Sequence, residues 1–245
     1  AIMAPRGSAL ALAKVILSML KRGVRMLSRK SIGVVAVVTP FWFLAVYLIM
    51  AGLRPDYSFL HQAISELGSV GAPHAWLWNI FGYILPGLAV ASLGLGLKVE
   101  FSGVRRFASV PGYALVVSGL FMVLSGVFPG DFVNRGATTM IVHTVGAFGT
   151  YVAFLVAGFW FPALFRKLEA WRWVAWPSLV LVVASIATGF VRSGATPGLG
   201  QRLTFACFFL WVGLVGFALL RAQFAAQSIT IRSTGRSPAT RARAG

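Results

Sequence analysis

The chain has 245 residues, of which 58% are hydrophobic and only 11% are charged. Because a soluble domain is usually about 45–50% apolar and about 25% charged, this composition excludes an ordinary soluble domain and indicates an integral membrane protein. The net charge of +17 would suggest a nucleic-acid partner in a soluble protein, but here the positions of the 22 Lys and Arg indicate membrane topology instead.

Apolar runs of about 20 residues, long enough to cross a bilayer as helices, recur six times along the chain. The runs lie at about 33–53, 77–97, 107–128, 140–164, 173–191 and 203–221. Tryptophans such as Trp76 and Trp173 stand near their ends, as in an aromatic belt at the membrane interface. The sequence therefore predicts an all-α, polytopic membrane protein with six transmembrane helices.

Two basic segments flank the predicted six-helix transmembrane domain, which occupies residues 33–222. Residues 1–32 carry seven Lys and Arg and no acidic residue. We predict a cytoplasmic interfacial helix there, with a signal peptide and an organellar presequence as alternatives. Residues 223–245 are basic and rich in Ser, Thr and Ala, a composition typical of a disordered tail.

The Lys and Arg residues are distributed unevenly between the two ends of the predicted spans. Eighteen of the 22 lie in the two terminal segments and in the second and fourth loops. The other four are Arg54, Arg135, Arg192 and Arg202. By the positive-inside rule, both termini are cytoplasmic in an inner or plasma membrane. We expect the basic segments to attract anionic lipid, so the predicted partner is the lipid bilayer and not nucleic acid.

The run DYSFLHQAISELGS, residues 56–69, is the most polar stretch before the C-terminal tail. At about 100° per residue its apolar side chains fall on one arc, and His61, Ser65 and Glu66 fall on the opposite arc. The pattern predicts a short extracytoplasmic amphipathic helix between spans one and two. Two placements are open: the polar face lies in water at the head-group level, or it covers the mouth of the bundle.

The third loop and the start of span four carry the next group of polar residues. Asp131 and Arg135 are four residues apart, and we predict that they pair. His143 belongs to a stripe of small and polar residues along span four, which should face the bundle interior rather than lipid. Such a histidine is either hydrogen-bonded to a neighbouring helix or part of a functional site, and the sequence leaves both open.

The fifth loop and the start of span six carry Arg192 and Arg202 in a glycine-rich stretch. Guanidinium groups beside a cavity can hold an anionic head group through paired hydrogen bonds. Arginines near helix ends can equally extend their side chains to the membrane surface. Both roles are compatible with the sequence.

No strong catalytic motif occurs in the chain, since H-E-x-x-H, G-x-S-x-G and C-x-x-C are all absent. A zinc site needs three or four ligands that converge from different elements. The candidate metal ligands are His61, His143 and Asp131, and a divalent metal is the cofactor that they would hold. The candidate catalytic residues are Ser65, Glu66, Asp131 and His143.

Several short motifs resemble a family of prokaryotic membrane proteins known only as domain of unknown function 998. They are ISELGS, the pattern P-H-x-W-L-W-N-x-x-G-x-x-L-x-G from Pro73 to Gly87, and FPGD with a histidine twelve residues later. The resemblance runs from about span one to span six and implies a six-helix bundle with polar residues gathered at one face. The positions to which it directs attention are Ser65, Glu66, Asn79, Asp131 and His143. The family supplies no activity to transfer.

Two hypotheses about function follow from these patterns. In the first, a non-enzymatic protein binds a small molecule or lipid head group at an extracytoplasmic polar site. The candidate binding residues are His61, Glu66, Asn79, Asp131, Arg135, His143, Arg192 and Arg202. In the second, a membrane-embedded hydrolase acts on lipid at the outer leaflet, with a metal that activates water and Glu66 as the base. Convergence of the His143, Glu66 and Asp131 side chains would favour the hydrolase.

Overall fold

The computed structural model describes residues 29–191 and 196–234, with side chains to residue 224. Within these ranges the fold is all-helical, without a strand. The six long helices are α1 (Arg29–Gly52), α2 (Ala75–Glu100), α3 (Val110–Val127), α4 (Thr138–Phe165), α5 (Arg172–Val191) and α6 (Pro197–Thr234). Each is long and apolar enough to cross a membrane, so the predicted six-span, multipass architecture is confirmed.

Most helix boundaries lie within a few residues of the predicted spans, and α6 differs most. It begins at Pro197, six residues before the predicted start, and continues to Thr234, past the point where the sequence predicted a disordered tail. Residues 29–32 of the predicted interfacial segment already belong to α1. Residues 1–28 and 235–245 lie outside the described part of the chain, as does Arg192.

The six helices pack as a ring in which each contacts its sequence neighbours and α6 returns to α1. Aromatic side chains fill the middle of the ring: the Phe154 ring of α4 lies 4.7 Å from that of Phe208 and 5.5 Å from that of Trp211, both on α6. The connections divide the bundle into two ends. The Glu66 end contains residues 53–74 and 128–137, and the Glu100 end contains residues 101–109 and 166–171.

The polarity of the bundle is inverted relative to a water-soluble protein. Large apolar side chains such as Phe41, Phe148 and Phe190 are 69–80% exposed on the outside, where a membrane would supply lipid tails. Buried polar side chains face inward and are Thr39, Ser65, Ser69, Asn79, Ser118, Ser125, His143, Thr150, Ser178, Ser185 and Arg202. Most of the hydroxyls bond to backbone carbonyl oxygens, as in the 2.8 Å bond from Ser118 to Thr150. This satisfies polar groups that lipid could not solvate.

Glycines allow α2 and α3 to approach until their backbones touch. A Cβ added at Gly94 would lie 2.7 Å from the Gly112 carbonyl oxygen. A Cβ added at Gly119 would overlap the Gly87 carbonyl oxygen and lie 2.6 Å from the Ala91 amide nitrogen. These neighbours are backbone atoms, which cannot move aside as a flexible side chain would.

The substitution Gly119→Ala should therefore destabilise the bundle by about 1–3 kcal/mol, the usual result of overpacking. Gly52→Ala is the matched control, since an added Cβ there would have no neighbour within 4 Å. Thermal unfolding of the purified protein in detergent measures both. Equal melting temperatures for the two variants would contradict the close contact between α2 and α3.

Candidate functional site

The loop from 56 to 69 is less helical than the sequence predicted. Only Ile64–Gly68 is helical, and it is a 3₁₀ helix. The predicted division into faces is wrong, because apolar Phe59 and Leu60 are 51% and 44% exposed whereas polar Ser65 is buried. Contacts with α6, rather than local periodicity, set the conformation of this loop.

The first turns of α6 hold the loop through its backbone. The amide nitrogens of Gly198 and Leu199 donate to the Leu60 carbonyl oxygen at 2.9 and 3.2 Å. The Ile64 amide donates to Oε1 of Gln201 at 2.6 Å. A continuous α-helix through 58–70 would need these backbone groups for its own hydrogen bonds, which explains why the predicted helix does not form.

The Glu66 side chain caps the N-terminus of its own 3₁₀ helix. Its Oε1 accepts from the Ala63 amide at 2.8 Å, and its Oε2 accepts from the Gln62 side chain at 3.2 Å. Nη1 of Arg54 donates to the Glu66 carbonyl oxygen at 2.8 Å. Both carboxylate oxygens are thus engaged in a capping arrangement, which gives Glu66 a structural role in the loop.

Arg202 lies in a cage of neutral acceptors at the Glu66 end. Its Nε donates to the Tyr47 hydroxyl at 2.7 Å, its Nη1 to the Gln62 carbonyl oxygen at 2.9 Å, and its Nη2 to the Tyr57 hydroxyl at 2.6 Å. The guanidinium carbon lies 4.5 Å from the centroid of the Phe59 ring. These contacts join α1, the loop and α6 through one side chain.

The structure contradicts one of the two roles predicted for Arg202. Its side chain is only 7% exposed, so it does not extend to the membrane surface. Each of its guanidinium nitrogens donates one hydrogen bond to a protein atom. No carboxylate pairs with it among the described residues. Hydrogen bonds and aromatic faces compensate the buried charge instead.

Tyr57 needs its proton to complete this cage. Its hydroxyl accepts from Arg202 and donates to the Ala63 carbonyl oxygen at 3.0 Å. Burial raises the pKa of Tyr57 above its ordinary value, and the nearby guanidinium only partly opposes this rise. The neutral phenol therefore persists at physiological pH and keeps the donor that Ala63 requires.

His143 is buried against the end of α3. Its Nδ1 lies 3.0 Å from the carbonyl oxygens of both Ser125 and Phe128. Because two carbonyls face this nitrogen, it carries the proton and donates to both. Ser125 lies in the last turn of α3 and Phe128 directly follows the helix, and carbonyl oxygens at a helix end have no hydrogen-bond partner within the helix. The hydrogen-bonding alternative for His143 is the one that the geometry supports.

Asp131 and Arg135 do not form the predicted pair. Oδ1 of Asp131 accepts from the backbone amides of Val133 and Asn134 at 3.1 and 2.8 Å, and Arg135 is exposed. The carboxylate thus stabilises its own turn. Aspartate side chains commonly bond to nearby backbone amides in turns, and an exposed salt bridge with Arg135 would contribute little stability. The third loop also contacts the first, since the Val70 amide donates to the Gly130 carbonyl oxygen at 2.9 Å.

Asn79 marks an irregular turn at the start of α2. Residues Asn79–Ile84 form a π-helix, a rare feature that is frequent at functional sites. Nδ2 of Asn79 donates to the Gly68 carbonyl oxygen at 3.0 Å, which fixes the loop to α2. Four residues later in the same turn, the Tyr83 hydroxyl lies beside the side chains of Ser65 and Trp78.

The residues predicted to bind a metal are not brought together. His61 is exposed, whereas His143 is buried against α3. Across the described residues, no three His, Cys, Asp or Glu side chains lie close enough to hold an ion. Glu66 and Asp131 accept hydrogen bonds from backbone amides of their own turns.

A cavity of about 480 Å³ lies between the 3₁₀ helix and α2 to α6. Its polar lining includes Ser65, Tyr83, Ser125, Thr150, Ser185 and Gln201, and no charged side chain contributes to it. Its apolar lining includes Met122, Leu155, Phe205 and Phe208. The volume is within the range of about 300–1,000 Å³ that is typical of small-molecule sites.

The cavity reaches the outer surface of the bundle between α4 and α5. Residues that line it and are also exposed are Thr144, Ala147 and Phe148 on α4 and Ile186 and Gly189 on α5. The surrounding outer surface is apolar, as the 52% exposure of Val145 shows. The cavity therefore opens sideways, toward the position of lipid tails.

Few of the cavity's lining residues could be predicted from the sequence. Ser65 is the one candidate site residue that lines it, and Thr150 belongs to the predicted polar stripe on α4. Tyr83, Ser185 and Gln201 were missed. The available signal was the presence of hydroxyl side chains within otherwise apolar spans, such as Tyr151 and Ser185, whose oxygens lie 3.3 Å apart.

The cage around Arg202 predicts a specific loss of stability. Tyr47→Phe removes the acceptor from a buried charge and should reduce the free energy of unfolding by about 1–3 kcal/mol. Tyr113→Phe is the control, because Tyr113 is 45% exposed and its hydroxyl bonds to no described residue. Thermal unfolding in detergent measures the difference. Equal stability of both variants would show that the hydroxyl of Tyr47 does not support the guanidinium.

Comparison with known proteins agrees with the motifs. Residues 37–218, from within α1 to within α6, match the family described as protein of unknown function (DUF998). No curated protein and no solved structure matches the chain. The resemblance seen in the short motifs is confirmed, and the chain belongs to the DUF998 family of proteins of unknown function.

Proposed function

We propose that this membrane protein binds a neutral amphipathic molecule in the cavity between the 3₁₀ helix and α2 to α6, and that the molecule enters from the lipid phase between α4 and α5. The observation that carries the proposal is the shape of the cavity. It joins an interior rich in hydroxyl groups to an opening on the apolar outer surface.

The lining favours a ligand with an uncharged polar group. A carboxylate or ammonium group in this cavity would lose its water without gaining a charged partner, which is costly. Hydroxyl or carbonyl groups can instead bond to the side chains of Tyr83, Ser185 and Gln201. Gln201 holds the Ile64 amide through Oε1, and its Nε2 bonds to no described residue, which leaves a donor for the ligand.

The apolar lining supports an aliphatic or aromatic remainder. Met122, Leu155 and Phe208 surround the inner part of the cavity, and Phe148 and Ile186 flank its opening. Burial of hydrocarbon against these side chains gives affinity, while the hydroxyls orient the polar group. The proposed ligand therefore contacts residues inside the bundle, whereas the binding site predicted from the sequence consisted largely of loop residues.

A substitution at the opening tests the proposal. Ala147→Trp should fill the mouth of the cavity, displace the part of the ligand that lies there, and reduce the affinity for 1-monomyristoylglycerol on the order of tenfold, equivalent to about 1.4 kcal/mol. Val145→Trp is the control, since it adds the same side chain to the same helix on an exposed position that does not line the cavity. Native mass spectrometry of the purified protein measures the bound monoglyceride.

Two ligand controls define the chemistry. Myristate has a comparable chain but a charged head, and tetradecane has no head, so both should bind more weakly than the monoglyceride. Equal binding of tetradecane would contradict a role for the hydroxyl lining. Equal affinity of the Ala147→Trp variant, the Val145→Trp variant and the parent protein would contradict a ligand that extends to the opening between α4 and α5.

We further propose that the Glu100 end faces the cytoplasm and the Glu66 end faces away from it. The uneven distribution of Lys and Arg between the loops supports this orientation. Because Cys207 is the only cysteine, a Cys207→Ala background allows single cysteines to be placed at either end. Val133 is 96% exposed at the Glu66 end, and Gly103 is exposed at the Glu100 end.

A membrane-impermeant maleimide added to intact cells should label the Val133→Cys variant. It should label the Gly103→Cys variant only after the membrane is permeabilised. The reverse pattern would show that the chain has the opposite orientation.

A further inference from the structure

The Glu100 end carries many cations and few anions. Its described basic residues are Arg29, Lys30, Lys98, Arg105, Arg106, Arg166, Lys167, Arg172 and Arg221. Its acidic residues are Glu100 and Glu169. One ion pair forms among the described residues, between Arg29 and Glu100 at 3.0 Å. The surface therefore has a large excess of positive charge.

Most of these cations pack against aromatic rings. The five that do so are Lys30 over Phe224, Lys98 over Tyr113, Arg106 over Phe107, Arg166 over Trp176 and Arg221 over Trp173, at 4.5–5.5 Å from the ring centroids. An aromatic face partly compensates a cation and fixes its position. Arg105, Lys167 and Arg172 have neither an aromatic face nor a carboxylate among the described residues.

Two of these three cations share a groove. Arg105, in the turn between α2 and α3, and Lys167, in the turn between α4 and α5, line an open groove of about 630 Å³ with Gly103, Val104 and Leu168. Glu100 also lines it, but its Oε2 bonds to Arg29 and its Oε1 accepts from Nε1 of Trp171 at 3.4 Å. The carboxylate is thus compensated, and the two free cations give the groove its positive charge.

The surroundings of the groove match the depth of a lipid head group. Apolar Val99 and Phe107 are 48% and 59% exposed next to it, and Trp176 is 64% exposed at the same end. Exposed apolar and aromatic side chains at helix ends are typical of the membrane interface. A phosphate in the groove would therefore have room for its acyl chains along the apolar outer surface.

We propose that this groove binds the head group of an anionic phospholipid, with Arg105 and Lys167 holding the phosphate from opposite turns. Arginine can donate to two phosphate oxygens at once, and lysine supplies a point charge. The site lies at the opposite end of the bundle from Arg202 and is independent of the neutral ligand proposed for the cavity.

The test uses the full chain in nonionic detergent with dioleoyl phosphatidylglycerol as the probe and dioleoyl phosphatidylcholine as the neutral comparison. Native mass spectrometry gives the affinity for each lipid. Arg105→Gln and Lys167→Gln should each weaken binding of phosphatidylglycerol about fivefold, the contribution of one cation near a membrane surface. Binding of phosphatidylcholine, whose choline cation offsets the charge of its phosphate, should weaken less.

Arg172→Gln is the matched control, because it removes the same charge from an exposed residue of the same end that does not line the groove. It should change the affinity less than twofold, a difference of only about 0.4 kcal/mol. Equal losses in all three variants would show a diffuse effect of surface charge and overturn the proposed groove. Displacement of the lipid by an equal concentration of inorganic phosphate would overturn the assignment to a phospholipid. Unchanged melting temperatures are expected for all three variants, since these exposed side chains support no described contact.

Discussion

A guanidinium removed from water requires acceptors on every side, and this requirement organises the Glu66 end of the protein. Arg202 obtains its acceptors from Tyr47 on α1 and from Tyr57 and Gln62 in the following loop. Each of these groups must lie within hydrogen-bond distance of one planar cation, so their relative positions are fixed together. The loop is thereby held against α6, and this contact places Ser65 at the wall of the cavity.

The two ends of the bundle treat charge in opposite ways. At the Glu66 end, the carboxylates of Glu66 and Asp131 cap local turns, and the buried cation is surrounded by neutral groups. At the Glu100 end, cations outnumber anions and most of them are exposed. The proposed neutral site inside the bundle and the proposed anionic site at one surface are compatible in a single chain, because they share no lining residue.

Hydropathy was sufficient to predict the six spans, because each run is both apolar and about as long as a helix that crosses a bilayer. It could not predict the conformation of residues 56–69. The periodicity of that stretch favours an amphipathic helix, but Gln201 and Gly198 bond to its backbone from a distant part of the chain. Such contacts carry no local sequence signal. A buried arginine in a cage of tyrosines was equally hidden, since Tyr47 and Arg202 are 155 residues apart.

The candidate site shows the same limit. His143 was correctly placed facing the bundle interior, because an intramembrane histidine on a polar stripe has few other positions. Its role depended on the carbonyls that face Nδ1, which only the packing of α3 on α4 determines. For Asp131, the four-residue spacing to Arg135 could not show which group its carboxylate contacts. Two backbone amides of its own turn are nearer than the side chain of Arg135.

Because residues Asn79–Ile84 form a π-helix, the position of Asn79 depends on the number of residues in this segment. A π-turn contains one residue more than an α-turn, so removal of a single residue would restore the regular helix. The part of α2 before the deletion would then rotate by about 100° relative to the rest. Asn79 would leave the Gly68 carbonyl oxygen, while Tyr83 kept its place beside Ser65. Deletion of one residue from this turn is therefore a larger structural change than substitution of a side chain. A related protein that keeps the hydrogen bond between Asn79 and Gly68 must also keep the number of residues in the π-helix.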